Sequence, residues 1–401
     1  MISTALPLSG LTIIEIGTSV AAPFGAYVLA DLGAEVIKIE RPPGGDDARL
    51  WGPPFVDGSS PMFHAINRNK RSVVVDLKDP GQLQSLKDLI FSRVDVVLQN
   101  MRPGVVECYE MDAKSLRKKK PALIYCNLSA FGASGPMRAK PGYDPLMQAA
   151  GGIMSVTGVE GDDPIRVGPS IVDQGAGMWA VIGILAALHR RQLTGEGCEI
   201  GTSLYETAVS WVGLQIATYY ASGKIPARMG SENAGIAPYK AFEAQGGWLV
   251  IAAGNDGLFC RLADALGHPE WPSDPEFRTN PDRVRNRERL NRLISDVVAS
   301  APREVLLAKL DAAGVPCAPV LTIDQVVLQP QTVAVGMLQE TPGAALPLVG
   351  LPLEFDGVRP PLRTPPPTLG QDNNMLMQPG RQRDARHDQA SDPAYASGRD
   401  D

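Results

Sequence analysis

A single carboxylate, Asp173, stands at the beginning of the most apolar stretch of this sequence. Residues 178–188 are almost all apolar, which predicts a helix that is buried on every side rather than amphipathic. The basic residues at 189–191, followed by Gly195, indicate where that helix ends. A lone carboxylate at a helix start has two chemical interpretations, a structural cap and a nucleophile.

Two nearby glycines favour the nucleophile without excluding the cap. Asp at a helix start is commonly the N-cap, whose oxygen accepts hydrogen bonds from the first-turn amides. Gly175 and Gly177 follow Asp173 closely, although a glycine inside a helix costs about 1 kcal/mol relative to alanine. They would leave room for a bulky substrate and expose amides for an oxyanion. The helix dipole would favour the ionised carboxylate that a nucleophile requires. Both interpretations stay open on this stretch alone.

The composition is that of an ordinary globular protein. The 401 residues are 44% hydrophobic and 20% charged, with a formal net charge of −6, and the chain is long enough for two domains. A general nucleic-acid binder would carry a basic surplus, so no nucleic-acid partner is expected. Five scattered cysteines without a C-x-x-C pair predict reduced thiols in the cytoplasm. No secretion signal is recognisable, and the 178–188 run is shorter than the ~20 residues of a membrane span, so no membrane partner is expected.

The N-terminal part has the pattern of a strand–helix–strand unit. Apolar runs at 11–16 and 34–39 flank a helix at 21–32, which predicts a right-handed crossover and a parallel sheet. A nicotinamide-binding Rossmann unit is the obvious comparison, with Glu40 in the place of the ribose-binding acid. Residues 17–22 hold one of the three glycines of that fingerprint, so a dehydrogenase is disfavoured.

Further elements extend the predicted sheet and bring cationic residues to its edge. Strands are predicted at 72–76, 94–98 and 122–127, with a helix at 80–92. Ligand clefts of open α/β sheets collect at the carboxyl ends of the strands, where Arg and Lys suit phosphate groups. A phosphate-bearing ligand is therefore predicted from four residues in turns at strand ends, namely Arg41, Lys70, Arg71 and Arg102. The basic run at 118–120 is better explained as a solvated helix face.

The pattern changes in the second half of the chain. An antiparallel hairpin is predicted over 241–252 about Gly246-Gly247, followed by helices that form a smaller α+β module, at about 257–266, 282–299 and 303–313. The predicted boundaries are 1–222 for a large domain, 223–235 for a linker, 236–322 for the small domain, 323–377 for a return to the large domain, and 378–401 for a disordered tail.

Other catalytic and metal sites are disfavoured by the residue pattern. The four histidines are not spaced as metal-ligand pairs, and the G-x-S-x-G motif of α/β-hydrolases and the P-loop are absent. The acidic pairs Asp46-Asp47 and Asp162-Asp163 each follow a glycine in a turn-like segment, where Asp is common. No metal site is therefore predicted.

Several short motifs, taken together, resemble the class III CoA-transferases, a family that includes formyl-CoA transferase, carnitine CoA-transferase and alpha-methylacyl-CoA racemase. The match extends from about Leu6 to Gln371, nearly the whole chain. The motifs that carry it are Leu32–Glu40, Asn69–Ser72, Asn100–Gly104, Gly142–Asp144, Asp173 and His189–Gly195.

This resemblance implies a fold, an assembly and a mechanism. The fold is α/β, with N- and C-terminal segments sharing one Rossmann-like domain, a smaller α+β domain between them, and two chains interlocked as a homodimer. Asp173 would attack an acyl-CoA thioester and pass through an aspartyl-CoA thioester, with coenzyme A as substrate and no metal or permanently bound cofactor. The positions that match CoA contacts in the family are Ser19, Val20, Arg41, Lys70, Arg71, Asn100, Met101, Arg102, Lys140 and Tyr143.

Departures from the family patterns narrow the expected reaction. The racemase branch has a histidine before Asp144 and a glutamate in the small domain, whereas this chain has Tyr143 and the sequence Gly254-Asn255-Asp256 there. Racemisation would then lack its second acid–base group. Formyl-CoA transferase has a glycine-run loop and an active-site glutamine. Residues 236–258 contain no such run, and Val20 occupies the glutamine's position, which disfavours formyl-CoA and oxalate as substrates.

The expected function is transfer of CoA from an acyl-CoA, such as succinyl-CoA, to a small carboxylic or dicarboxylic acid. The alternative within the same fold is an acyl-CoA racemase or isomerase. The alternative from a different class is a non-catalytic CoA-binding protein in which Asp173 only caps its helix.

Overall fold

The computed structural model describes residues 6–341 and 343–376 and divides the chain into two compact units. The larger unit comprises the described parts of 1–153, 167–217 and 330–401, and the smaller unit comprises Met154–Arg166 and Thr218–Gln329. The tail predicted from residue 378 lies outside the described residues.

The strands, in chain order, are β1 (Thr12–Ile16), β2 (Glu35–Glu40), β3 (Lys70–Val74), β4 (Val96–Gln99), β5 (Ile124–Ser129), β6 (Glu199–Ser203), β7 (Tyr239–Ala244), β8 (Gly247–Ala252), β9 (Cys317–Pro319), β10 (Leu338–Gln339) and β11 (Leu348–Val349). The helices are α1 (Ala21–Asp31), α2 (Pro61–Asn67), α3 (Pro80–Arg93), α4 (Val105–Cys108), α5 (Ala113–Lys119), α6 (Asp144–Ala150), α7 (Ile153–Val156), α8 (Ile171–Thr194), α9 (Leu204–Trp211), α10 (Gly213–Ser222), α11 (Asp256–Leu266), α12 (Asn280–Arg285), α13 (Arg287–Ala299), α14 (Arg303–Ala312), α15 (Ile323–Leu328) and α16 (Pro330–Ala334).

A six-stranded parallel sheet forms the centre of the larger unit, in the order β3-β2-β1-β4-β5-β6. The predicted α/β class and the parallel sheet are therefore confirmed. The inner strands are buried along their whole length, which is typical of parallel sheets covered by helices on both faces. Because β1 to β3 run outward in one direction and β4 to β6 in the other, the strand order reverses between β1 and β4. Such a reversal opens a crevice at the carboxyl ends of the two strands.

Helix α8 is the long apolar helix, and the prediction that it is buried on every side is wrong for this chain. It packs on α1, β5 and β6, yet Met178 is 50% exposed and Ile182 is 52% exposed. By length and composition α8 would be long enough to cross a membrane, with half of its apolar segment buried inside the structure. A core helix of a soluble protein has the same length and composition, so this observation does not distinguish the two.

The glycines of α8 serve helix packing rather than substrate access, which corrects the prediction made for them. A Cβ atom on Gly177 would lie 2.7 Å from the carbonyl oxygen of Ala21 and 3.0 Å from the backbone nitrogen of Gly25 in α1. A Cβ atom on Gly175 would lie 2.9 Å from the ring of Trp211. Helices α1 and α8 therefore cross with their backbones in contact at Gly25 and Gly177. This crossing places the first turn of α1 beside the first turns of α8.

The smaller unit is an α+β module, as its sequence pattern predicts. Strands β7, β8 and β9 form an antiparallel sheet, and the predicted hairpin turns at Gly246 and Gly247, which both have positive φ. Side chains from the sheet and from α11, α13 and α14 form one core around Phe242, Leu249 and Phe259.

The unit boundaries differ from the predicted ones. Residues 154–166 belong to the smaller unit, because Val159 bridges to Met229 and the Gly230 amide donates to the Gly158 carbonyl at 2.7 Å. The predicted linker 223–235 lies inside the smaller unit as well. The chain leaves the larger unit after residue 217 rather than 222 and returns at 330 rather than 323.

Candidate active site

A cleft of about 810 Å³ opens in the larger unit at the reversal of strand order. The turn that follows β1, the segment that follows β4 and the start of α8 contribute to its wall. Asp173 lines it together with most of the predicted CoA contacts, namely Ser19, Val20, Arg41, Asn100, Met101, Arg102, Lys140 and Tyr143. The structure therefore brings these residues together from distant parts of the sequence.

The two loops at the reversal are joined by the side chain of Asn100. Its Oδ1 accepts from the Thr18 amide at 3.0 Å, and its Nδ2 donates to the Thr18 carbonyl at 3.0 Å. These two bonds give both the backbone amide and the backbone carbonyl of Thr18 a hydrogen-bond partner. Asn100 therefore links the loop after β4 to the loop after β1.

The turn between β1 and α1 has an unusual backbone. Ser19 has a φ of 69°, in the left-handed region that non-glycine residues seldom adopt, and its amide donates to Asp46 Oδ1 at 3.0 Å. Helix α1 then begins without a side-chain cap on its N-cap residue Val20. Among the described residues none accepts a hydrogen bond from the first-turn amides of Ala21 and Ala22. These two amides form the electropositive start of α1; Ala21 lines the cleft, and Ala22 is fully buried behind it.

Asp173 is not the cap of α8. The helix begins at Ile171, and the first-turn amides of Val172 and Asp173 donate to Asp144 Oδ2 at 2.8 and 3.2 Å. In the part of the chain that the structure describes, no group donates a hydrogen bond to the half-buried carboxylate of Asp173. The cap interpretation is therefore wrong, and Asp173 presents an uncommitted carboxylate to the cleft.

Asp144 is a site residue whose role sequence reasoning missed. It is buried, and its Oδ1 accepts from Gln148 Nε2 at 2.5 Å while Gln148 Oε1 accepts from the Val167 amide at 2.8 Å. A single carboxylate thus caps a helix that begins 27 residues further along the chain. The local signal was an Asp before Pro145 at a predicted turn, which does not reveal a partner so distant in sequence.

The environment of Asp173 raises its pKa instead of lowering it. Burial has the largest effect, and the negative charge of Asp144 has the next largest. Together they raise the pKa of Asp173 from 3.8 to about 7. The sequence predicted the opposite direction from the helix dipole. The dipole fails to help because Asp144 already occupies the first-turn amides, so Asp173 experiences a neighbouring negative charge rather than free donors.

Glu40 has no free oxygen for a ribose. Its carboxylate accepts from Arg49 at 2.7 and 2.9 Å, from the Asp46 amide and from the Ser72 hydroxyl. Burial alone would raise the pKa of Glu40, but the hydrogen bonds from Arg49 and the charge of Lys38 lower it to about 2. A nicotinamide-type site is therefore disfavoured by the structure as well as by the sequence.

Comparisons with known proteins agree with this site. The sequence model for CoA-transferase family III matches residues 8–373. The chain belongs to CoA-transferase family III. It is a CoA-transferase, and acyl-CoA thioesters are accordingly its class of substrate.

Similar members of the family cover almost the whole chain. The acetyl-CoA:oxalate CoA-transferase of Acetobacter aceti is 37% identical over 360 residues, 90% of this chain and 92% of the relative. The succinate–glutarate CoA-transferase of Agrobacterium fabrum is 36% identical over 376 residues, 91% of this chain and 93% of the relative. A CAIB/BAIF family protein from Brucella suis has a solved structure that superposes with a TM-score of 0.84 at 37% identity, covering 93% of this chain and 99% of that one.

Two predicted CoA contacts of this family III chain lie away from the cleft. Lys70 Nζ is fully buried and lies 2.8 Å from Glu15 Oε2, and Arg71 pairs with Glu35 at 3.0 Å and Asp372 at 3.3 Å. Strand β3 begins at Lys70 rather than at 72, and either start places both residues at the amino end of the strand. The backbone of both residues therefore lies at the edge of the sheet opposite to the cleft, while the buried Lys70 side chain extends to α1 and donates to the Pro23 carbonyl at 2.9 Å.

Three other cations of the cleft have free charges. The side chains of Lys78, Arg102 and Lys140 are exposed in the cleft, and among the described residues none of them has an acidic partner, whereas Arg41 pairs with Asp47. Lys78 was not predicted, although it follows β3 as Arg41 follows β2. Those clustered positive charges suit a ligand with several phosphates. Among the described residues, no group of three or more His, Cys, Asp or Glu side chains could hold a metal ion.

Proposed function

We propose that the protein transfers CoA from succinyl-CoA to a small dicarboxylic acid through a thioester on Asp173. The observation that carries this proposal is the uncommitted carboxylate of Asp173 in a cleft with free cations, with the capping role taken by Asp144. The proposed donor and acceptor are supported by relatives named for them, including the succinate–glutarate CoA-transferase of Agrobacterium fabrum and the succinyl-CoA–D-citramalate CoA-transferase of Chloroflexus aurantiacus, 35% identical.

The proposed reaction has two symmetric halves. An Asp173 oxygen attacks the thioester carbonyl of succinyl-CoA, the carbon–sulfur bond breaks, and CoA leaves as the thiolate beside a mixed anhydride. The thiolate then attacks the Asp173 carbonyl and releases succinate, which leaves an aspartyl-CoA thioester. The acceptor carboxylate attacks that thioester, and its carbon–sulfur bond breaks to release the CoA thiolate beside a second mixed anhydride. The thiolate then attacks the acceptor carbonyl of this anhydride and forms the acyl-CoA of the acceptor. Free Asp173 is regenerated, and covalent catalysis has divided one difficult exchange into easier steps.

The negative charge of each tetrahedral intermediate needs donors beside Asp173. In this proposal the first-turn amides of Ala21 and Ala22 supply them, since they have no acceptor among the described residues. The crossing of α1 and α8 at Gly25 and Gly177 supports this assignment, because it holds the start of α1 beside the first turns of α8. Preorganised amides of this kind contribute about 3–4 kcal/mol each to transition-state stabilisation.

Removing the free cations of the cleft should weaken acyl-CoA binding without slowing the chemical steps. We expect Lys78→Ala, Arg102→Ala and Lys140→Ala each to raise the KM for succinyl-CoA several-fold, about 3- to 30-fold for one charge-assisted bond to phosphate, with kcat within about twofold. The matched control is Lys118→Ala, an exposed lysine on α5 that does not line the cleft. Steady-state kinetics at low ionic strength make the comparison, and an unchanged KM in all three cleft variants would refute the assignment of these residues to the phosphates.

The acceptor needs a direct test because relatives differ. The sequence disfavoured oxalate, yet one relative is an acetyl-CoA:oxalate CoA-transferase. A screen of oxalate, glutarate and methyl-branched dicarboxylates at fixed succinyl-CoA would rank kcat/KM. We expect a five-carbon dicarboxylate above oxalate, and the reverse order would overturn this expected preference for a longer dicarboxylate.

We propose further that two copies of the chain assemble as the interlocked homodimer implied by the family resemblance. The support is the exposed apolar face of α8, which includes Met178, Trp179 and Ile182 and needs a protein partner or a membrane. We favour a second copy over lipid, because Asp173 and the basic residues of the last turn share the same helix. Light scattering in detergent-free buffer should give twice the chain mass, and Trp179→Glu should reduce the assembly; a monomeric wild type would contradict the proposal.

The racemase alternative of the same fold is disfavoured by the residue at position 143. It would exchange the alpha hydrogen of an acyl-CoA with solvent, and Tyr143 occupies the position of the racemase histidine. Incubation of a 2-methylacyl-CoA in D₂O should therefore give no deuterium at the alpha carbon.

The deciding experiment is intact-protein mass spectrometry after mixing with succinyl-CoA. We expect a CoA adduct on the peptide that contains Asp173, and hydroxylamine should remove it. If succinyl-CoA and other acyl-CoAs leave Asp173 unlabelled, the covalent route is wrong.

A further inference from the structure

Four charged side chains lie beneath the turn between β1 and α1 and are named here the ionic cradle: Glu15, Lys38, Asp46 and Lys70. Their side chains are fully buried. Lys38 Nζ lies 2.7 Å from Glu15 Oε1 and 2.8 Å from Asp46 Oδ2, and Lys70 Nζ lies 2.8 Å from Glu15 Oε2. Two acids and two bases thus form one chain of contacts with balanced formal charge.

The ionic cradle contacts the backbone at three places, two in the turn and one in the first turn of α1. Lys38 Nζ donates to the Gly17 carbonyl at 2.8 Å, and Asp46 Oδ1 accepts from the Ser19 amide at 3.0 Å. Lys70 Nζ donates to the Pro23 carbonyl at 2.9 Å. These contacts bracket the amides of Ala21 and Ala22 on both sides, and one of them restrains Ser19 in its left-handed conformation. Such a conformation persists only where the surroundings impose it.

Stability alone is a poor explanation for this arrangement. Removing charges from water usually offsets most of the attraction between them, and well-packed apolar side chains often serve a core equally well. Charged groups do add direction, because each ammonium group is held by several acceptors in a fixed geometry. Lys70 illustrates this, since its nitrogen contacts Glu15, the Pro23 carbonyl and Asn67 Oδ1.

We propose that the ionic cradle positions the first-turn amides of α1 for the oxyanion that forms at Asp173. Its members are positioning residues; Glu15, Lys38 and Lys70 do not line the cleft. This inference rests on the proposed function, and it gives the lysine of the Asn69–Ser72 motif a role in holding the turn instead of a phosphate contact. A displaced turn would lower the rate of the chemical steps and leave acyl-CoA binding intact, because the phosphate-binding cations lie elsewhere in the cleft.

The test compares the rate per competent chain in matched variants. The number of competent chains is counted as the CoA adduct formed after complete reaction with succinyl-CoA, so that misfolded protein does not enter the rate. We expect Lys70→Met and Asp46→Ala each to lower kcat per labelled chain by about 10- to 100-fold, with the KM for succinyl-CoA within about twofold. Asp46→Asn keeps the acceptor for the Ser19 amide and should recover most of the rate.

The control is a buried ion pair at the C-terminal end of α1, the helix whose first turn the ionic cradle contacts. Arg68 pairs with Asp31 at 2.8 Å, with both side chains almost fully buried, and it does not contact the turn. Arg68→Met should lower the melting temperature and leave kcat per labelled chain unchanged. Equal rate losses in Arg68→Met and Asp46→Ala, or normal rates per labelled chain in the ionic cradle variants, would overturn the inference. Should Lys70→Met not fold, the Asp46→Ala and Asp46→Asn pair decides. A wild type that forms no adduct would instead overturn the proposed function.

Discussion

Replacement of Asp173 by alanine should reduce CoA transfer by about 10⁴-fold or more, as expected when a covalent nucleophile is removed. The same variant should form no CoA adduct. Its affinity for CoA should stay close to that of the wild type, because Lys78, Arg102 and Lys140 are untouched. Isothermal titration with CoA and a coupled transfer assay measure the two quantities on one preparation.

The structure supplies a suitable control for that variant. Gln174 is the next residue of α8 and does not line the cleft, so Gln174→Ala changes the same helix turn without touching the proposed chemistry. We expect near-normal transfer from it. The nucleophile assignment fails if Asp173→Ala retains more than about one hundredth of the wild-type turnover, a level that a missing nucleophile does not support.

Adduct formation should depend steeply on pH below neutrality. Attack requires the ionised carboxylate, and burial together with the charge of Asp144 raises the pKa of Asp173 to about 7. The ionised fraction then increases from about 1% at pH 5 to about 90% at pH 8, so kcat/KM for adduct formation should increase about 90-fold over that range. Single-turnover rates at several sub-saturating concentrations of succinyl-CoA without acceptor, measured by quench and mass spectrometry, give the profile.

A variant of Asp144 tests the origin of this profile. Asp144→Asn keeps an oxygen that can accept from the Val172 and Asp173 amides and removes the neighbouring negative charge, so the midpoint should move to lower pH. Asp88→Asn makes the same change at an exposed position on α3 and should leave the midpoint in place. A wild-type profile that is flat between pH 5 and 8 would show that the ionisation of Asp173 does not limit the reaction.

The sequence predicts the architecture well because its signals are local. Buried strands and the hairpin at Gly246-Gly247 are each encoded within a dozen or so residues, and the first β–α–β unit is encoded within one continuous segment from Thr12 to Glu40. The identity of Asp173 as the functional carboxylate depended on the family resemblance, because a helix-start Asp has two interpretations. The distinction came from Asp144, whose contact with the α8 amides joins residues 28 and 29 positions apart.

Errors arose where a role depends on which end of an element a residue occupies. Lys70 and Arg71 were expected at the cleft, but they lie at the amino end of β3, and the cleft opens at the carboxyl ends of the strands. Gly177 was expected to leave room for the substrate, whereas the backbone of α1 occupies the space beside it. The helix crossing is not visible in hydrophobic periodicity.

The distribution of charge within the cleft has a consequence for the direction in which a substrate enters. Exposed positions carry the unpaired cations Lys78, Arg102 and Lys140. The exposed acid Asp47 is paired with Arg41, and the acids Asp144 and Asp173 are buried or half-buried. A molecule with phosphates at one end and an uncharged thioester at the other is attracted in one orientation and repelled in the reverse one. The protein would thus select and orient substrates by the distribution of charge along the substrate molecule, before any contact with the acyl group is made.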